Sequence, residues 1–325
     1  MGVLFAIKKK LWECLMIEEI LKKISLDKSE LELYKTALSQ HETESLLSDE
    51  EYEEVNNELK SYLQFSNIEN FNFSFAPCAT DIINALFDKY VDDDTLIITT
   101  CKEHKSTTKC LKQHKNVQIV YDKNKSQELK FEGNYKRIFI FMIGTSCAEG
   151  EFTYDYVFDN IISAAKATEK EVITVIDACQ ELFLLPRNYS RFDYIIGTGH
   201  ALVPKFNVGI LLRKDSCLDV GKRLAVSKTF CVLLKLLMKR KDIIHQFNMA
   251  MNIEFGILKN SHFKTVSHIN HLFFIKSNNG EFNDTGVEVD NSYYGMLFRA
   301  CFGIFCQDEF LKDLKRVKMI IDSQF

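Results

Sequence analysis

Residues 171–213 read EVITVIDACQELFLLPRNYSRFDYIIGTGHALVPKFNVGILLR. Three short apolar runs stand in that stretch: VITVI at 172–176, YIIG at 194–197 and VGILLR at 208–213. Each is continuously hydrophobic instead of alternating, which is the pattern of a strand covered on both faces. Polar residues follow two of the runs directly. Asp177-Ala178-Cys179-Gln180 ends the first and Gly197-Thr198-Gly199-His200 ends the second. In an open α/β sheet, ligands bind at the carboxyl ends of the strands. The stretch therefore predicts both a sheet and the edge of a site.

Working outward, the same kind of run recurs as TLIITT at 95–100, VQIVY at 117–121 and RIFIFMI at 137–143. Helical patterns lie between the runs. The clearest is Tyr154–Lys170, where Val157, Ile161, Ile162 and Ala165 share a face. Strand, helix and strand repeated in this way predict an α/β fold: a mostly parallel sheet with helices on both sides. The flanks differ. In residues 1–65, Trp12, Met16, Ile20 and Ile24 fall at helical spacing. A charged stretch follows, ETESLLSDEEYEEVNNELKSYL, with Leu46, Leu47, Val55, Leu59 and Leu63 as its apolar members and its acidic run on a solvated helix face. The segment 220–260 reads as helix with Lys239-Arg240-Lys241 exposed, and 270–325 as strands and a closing helix carrying Phe310, Leu314, Val317 and Ile321. The expected division is a helical segment at 1–65, a large α/β domain at 66–255 and a C-terminal part at 256–325. The first and last form a smaller α+β domain.

Composition narrows the function. Of 325 residues, 46% are hydrophobic and 26% charged, which excludes a disordered chain. Forty-one Lys+Arg against 45 Asp+Glu leave a net charge of −4, so no basic field recommends nucleic acid. No apolar run has the length of a membrane span. The apolar stretch of MGVLFAIKKKLWECL precedes its lysines, the wrong order for a secretory signal, and Ala6 spoils a myristoylation pattern at Gly2. Ten cysteines without a CxxC pair read as reduced thiols, so the expected setting is soluble and cytoplasmic. His268 and His271 lack further spaced ligands, and no metal site is expected.

Two more segments carry candidate chemistry. Pro77-Cys78-Ala79-Thr80 opens a helix, with Thr80 placed as its N-cap, and free amides at such an end favour an anion. Glu103-His104-Lys105-Ser106 follows TLIITT. Together the four segments resemble, in order and spacing, the class V aminotransferase family of pyridoxal-phosphate (PLP) enzymes. That is the fold-type-I group with cysteine desulfurases and kynureninase. Cys78-Ala79-Thr80-Asp81-Ile82-Ile83-Asn84 is similar to the family's Gly-Ala-Thr-x-Ala-Ile-Asn, and Glu103 to Ser106 to its Glu-His-x-Ser. Ile176 to Gln180 is similar to Val-Asp-Ala-x-Gln, and Arg299-Ala300-Cys301-Phe302-Gly303 with Asp308-Glu309 to a C-terminal Arg-x-Ser-x-Gly and acidic helix start. The resemblance spans roughly residues 70–213 and 285–325.

The resemblance implies a cofactor cage. Ala79 and Thr80 would hold the phosphate at the helix start. His104 would stack on the pyridine ring. Asp177 would pair with the ring nitrogen and Gln180 with the phenolic oxygen, and Thr198 and His200 would reach the phosphate. Arg299 would clamp a substrate carboxylate, most simply that of an amino acid. It also implies a dimer with sites at the interface.

One residue breaks the pattern. The family continues Ser-Gly-His-Lys, and that lysine forms the Schiff base with PLP. Counting forward from Asp193 and back from Gly209 both put Ala201 at its place, while a one-residue insertion would put His200 there. Neither register supplies an amine. Lys205, four positions on, is the nearby substitute. Cys147-Ala148-Glu149-Gly150 replaces the family's Asn-Glu-Thr-Gly, the Gly-rich segment expected after the lysine strand is missing from 214–235, and 262–290 contains no cysteine for a desulfurase nucleophile. Three readings follow. The chain is a catalytically degenerate class V protein acting as a binding, regulatory or partner subunit, homodimeric or paired with a lysine-bearing paralogue. Alternatively it is an enzyme using PLP or pyridoxamine phosphate (PMP) on an amino acid without the internal Schiff base. In the third, PLP is not used at all and the pocket is a relic.

Overall fold

The computed structural model describes residues 26–39, 45–63, 67–100, 103–120, 129–131, 133–145, 153–183, 187–201 and 206–240, with the backbone of four further strands between 263 and 301. Strands β1 (Phe71–Ala76), β2 (Thr95–Thr100), β3 (Val117–Val120), β4 (Arg137–Ile143), β5 (Glu171–Asp177), β6 (Tyr194–Thr198) and β7 (Gly209–Lys214) form one sheet, in the order β1-β7-β6-β5-β4-β2-β3. β7 runs antiparallel to both β1 and β6. The pairs β6–β5, β5–β4, β4–β2 and β2–β3 are parallel. A second, antiparallel sheet of β8 (Phe263–Ile269), β9 (Leu272–Ser277), β10 (Val289–Asp290) and β11 (Leu297–Cys301) has the order β10-β11-β9-β8. The helices are α1 (Lys28–Ser39), α2 (Asp49–Tyr62), α3 (Ala79–Tyr90), α4 (Lys105–Leu111), α5 (Asp155–Lys166) and α6 (Val226–Met238). Among the described residues no helix is long and apolar enough to cross a membrane.

The central strands of the large sheet are buried on both faces, whereas β3, expected to be covered on both faces, lies at the sheet edge with Ile119 exposed. β4 shows the double burial residue by residue. Ile138, Ile140 and Met142 of β4 enter a core shared with Phe158, Ile161 and Ile162 of α5 and with Phe230 and Leu234 of α6. The intervening Phe139 and Phe141 enter the opposite core with Ile83, Leu86 and Phe87 of α3. The Phe87 ring lies 5.2 Å from Phe139 and 5.5 Å from Phe141. Side chains alternate across a strand, so a strand with two covered faces must be apolar at every position. That is the α/β architecture expected from the uninterrupted runs.

β1 is a strand that reading does not find, because FNFSFA alternates. It lies at the sheet edge, and α2 satisfies its outward backbone: the side-chain Oδ1 of Asn56 accepts from the Phe73 amide at 3.0 Å, and the Tyr52 hydroxyl donates to the Phe73 carbonyl at 2.7 Å. Lys222 bridges the same edge at Phe75. Coverage of this kind removes an exposed pairing edge. α2 itself begins at a capping box, in which Ser48 Oγ accepts from the Glu51 amide and Glu51 Oε2 from the Ser48 amide.

Several expectations are corrected. Leu46 and Leu47 precede α2; Leu46 is exposed and forms a bridge to Leu224, because Ser48 caps the helix after them. Within 220–260 the described helix is 226–238, and Arg240, expected at the surface, is 8% exposed. Its guanidinium pairs with Glu30 at the start of α1, a partner that burial of a cation requires. Trp12 to Ile24 and the closing helix with Phe310 lie outside the described residues.

Candidate functional site

The carboxyl ends of the parallel strands converge on a cleft of about 190 Å³. All seven residues expected in the cofactor cage line it: Ala79, Thr80, His104, Asp177, Gln180, Thr198 and His200. Ala79 and Thr80 are the first two residues of α3, and β1 delivers them. Asp177 ends β5 and Gln180 lies in the turn beyond it. Thr198 ends β6, and His200 sits within the 3₁₀ turn Gly199–Ala201. Cys78, Ile83, Ser106, Ile143, Cys179 and Asn207, which sequence reasoning did not single out as lining, complete the wall. Ser106 was within reach, since it closes the quoted Glu-His-x-Ser segment.

The start of α3 can approach β7 because residue 209 is glycine. A Cβ there would run into the Cys78 carbonyl and would lie 2.7 Å from the Ala79 nitrogen. Thr80 is not the N-cap. Cys78, in extended conformation, holds that position without a side-chain cap, and its carbonyl accepts from the Asp81 amide at 3.2 Å. The helix thus starts two residues earlier and frees the Thr80 hydroxyl, which meets Ser106 Oγ at 2.8 Å. Ser106 Oγ is also 3.2 Å from His104 Nδ1, and that nitrogen accepts from the Ser106 amide at 3.3 Å as the cap of α4. An Nδ1 that accepts an N–H leaves the proton of a neutral imidazole on Nε2.

Asp177 is 3% exposed. Its Oδ1 accepts from the Cys179 amide at 3.0 Å, and among the described residues no basic side chain pairs with it. Gln180 Oε1 is buried without a hydrogen-bond partner among the described residues. Buried acceptors normally find donors, so the pocket presents a carboxylate suited to a cationic ring N–H and an amide oxygen suited to a neighbouring hydroxyl that donates. That matches the donor and acceptor set of PLP.

Beside this turn lies a buried ion pair. Arg187 Nε is 2.7 Å from Glu181 Oε1, with side chains 1% and 0% exposed. Thr145 and Tyr189 hydroxyls also donate to Glu181, and Arg187 extends to Asp155 at 2.5 Å and to the Thr153 carbonyl at 2.9 Å. Burial raises the Glu181 pKa, and the Arg187 charge opposes that rise. Burial, then the Glu181 charge, drives the Tyr189 phenol upward. The pair fixes the residue next to Gln180.

Arg299 falls in β11 opposite Phe274, and His268 in β8 opposite Phe273; their side chains are outside the described residues. Lys205, His271 and Cys147 to Gly150 lie outside them altogether, as does the side chain of Ala201. Among the described residues no cluster of three His, Cys, Asp or Glu could hold a metal.

No protein-family model matches the chain, and no curated protein matches it by sequence. Solved structures do. A NifS-like protein from Rickettsia africae superposes with a TM-score of 0.64 at 13% identity, over 91% of this chain and 96% of that one. A phosphoserine aminotransferase, SerC, from Cytophaga hutchinsonii gives 0.62 at 11% identity, over 89% and 93%. The fold is that of the fold-type-I PLP-dependent transferases. A lysine-to-alanine variant of serine palmitoyltransferase from S. paucimobilis, with bound PLP–myriocin aldimine, gives 0.61 at 11% identity, over 92% and 85%. At these identities the likeness establishes the fold-type-I architecture and leaves the chemistry to the residues.

Proposed function

We propose that this chain is a catalytically degenerate fold-type-I protein. Its pocket holds PLP or PMP without a covalent bond, and it serves as a binding, regulatory or partner subunit. One observation carries the reading. Seven cage residues line one cleft, yet the turn after His200 closes on Ala201, where the resembled family has its lysine. A methyl group cannot form the Schiff base or move a proton.

The residues would divide the work as follows. Amides at the start of α3, with Thr80, Thr198 and His200, would take the phosphate. Asp177 would pair with the ring nitrogen, Gln180 with the ring oxygen, and His104 would lie against the ring. Bound there, PLP would supply an electron sink for an amino-acid substrate. The fold's usual site placement supports a dimer, either of this chain or with a lysine-bearing paralogue; that support is analogy.

A PLP titration followed by borohydride reduction and intact-mass measurement tests the proposal. We expect saturable binding that Asp177→Ala abolishes, and, at one equivalent of PLP, no covalent mass gain beyond that of the Asp177→Ala variant. A stoichiometric gain mapped to one lysine and absent from Asp177→Ala overturns degeneracy; no binding at all overturns the cage. The retained cage also supports a second reading, a true enzyme using PLP or PMP without a lysine anchor. The myriocin-bound lysine-to-alanine neighbour lends it support. Turnover of an amino acid by the PLP-loaded chain would favour it over the first.

A further inference from the structure

Glu103 precedes the pocket histidine in the chain and is 4% exposed. Its side chain turns back onto the carboxyl ends of β2 and β4. Oε1 accepts from the Thr100 hydroxyl at 2.7 Å, the Thr100 amide at 3.3 Å and the Ile143 amide at 3.0 Å. Ile143 lines the pocket and is in register with Asp177 on β5. Oε2, by contrast, has no hydrogen-bond partner among the described residues.

A buried carboxylate without a cation is strongly disfavoured. β2 and β4 present Glu103 with amide and hydroxyl donors, and β5 faces it with the charge of Asp177. A second anion beside Asp177 is disfavoured again. Burial first, and then the Asp177 charge, push the Glu103 carboxyl up to about 8, against the donors at Thr100 and Ile143. With three donors already on Oε1, the proton belongs on Oε2.

We propose that Glu103 is a positioning residue held as the neutral acid. It fastens the β2 and β4 ends beside the pocket and places no second negative charge next to Asp177. The protonation stands independently of any ligand; the claim about which charge meets a cationic ring rests on the PLP reading above.

Infrared difference spectroscopy on the full, ligand-free chain, with glutamate carbon-13 labelled, tests it. At mildly acid pH the wild type should show a protonated-carboxyl stretch that Glu103→Gln lacks, and the band should titrate away as pH rises through about 8. Asp177→Asn should bring that midpoint down by roughly one pH unit by removing a like charge. Thr100→Val should bring it up, since a donor to the ionised form is lost. An ionised Glu103 at mildly acid pH, or a midpoint indifferent to both variants, overturns the proposal. Should Glu103→Gln fail to fold, the wild-type band and its response to Thr100→Val decide alone. Adding saturating PLP should also lower the midpoint. A midpoint that follows Asp177→Asn but ignores PLP leaves Glu103 as proposed and counts against the PLP reading.

Discussion

At the scale of single residues, chemistry near the cleft depends on small groups in tight places. Gly209 is one, since its missing Cβ lets the start of α3 close on β7. We expect Gly209→Ala to destabilise the protein by about 1–3 kcal/mol through overpacking against backbone, read as a lower melting temperature, and to weaken PLP binding with it. Glu103 makes a pH statement. Its folded pKa of about 8 exceeds the ordinary 4.5, so the folded state holds a proton that the unfolded chain releases. Its contribution to stability is therefore complete below about 4.5 and is lost as pH rises towards 8. Denaturant unfolding across that window should show stability falling in the wild type and a flatter profile in Glu103→Gln. Ala201→Lys carries the third expectation: if the cage is intact, borohydride should then fix PLP to residue 201, detected as a mass gain on that peptide. Asp177, Gln180 and Ala201 were legible as residues because each sits at a counted distance from an apolar run. Glu103's unpartnered oxygen was not, because it depends on where Ile143 arrives, forty positions on in the chain.

At the scale of elements, strand edges and turns are held by buried polar groups that propensity does not announce. Asn56 on α2 supplies both an acceptor to Phe73 and a donor to Asn72. Asn56→Ala would leave the Phe73 amide unpaired at the sheet edge, and we expect a loss of about 1–3 kcal/mol in chemical denaturation. Arg187→Ala should cost more, about 3–5 kcal/mol, because it strands Glu181 as a buried charge. A loss below 1 kcal/mol would mean that water reaches Glu181. The uninterrupted strands were readable because two covered faces demand apolar residues throughout. β1 was not, since FNFSFA carries the alternation of a half-exposed strand while its Ser74 is in fact buried. The start of α3 was misplaced by two residues, because Thr at a helix start reads as a cap and Cys78 holds the cap position instead.

For the whole molecule, the sequence order of apolar runs and polar turns was enough to fix an α/β sheet with a polar carboxyl edge. Each run is a local pattern, and local patterns follow from burial alone. Oligomeric state belongs to this scale, and light scattering on the purified chain should return twice the chain mass, or the mass of one chain if its partner is a different subunit. By itself the sequence determined that strands covered on both faces would alternate with helices, and that alanine, not lysine, directly follows His200. The tertiary structure alone decided that Thr80 turns to Ser106, that Arg240 is buried on Glu30, and that Glu103 lies against Ile143 beside Asp177. These are contacts between groups far apart in the chain. Strand order, β7's reversal and burial create them, and no periodicity along the sequence encodes which side chains a crossover will bring within hydrogen-bonding distance.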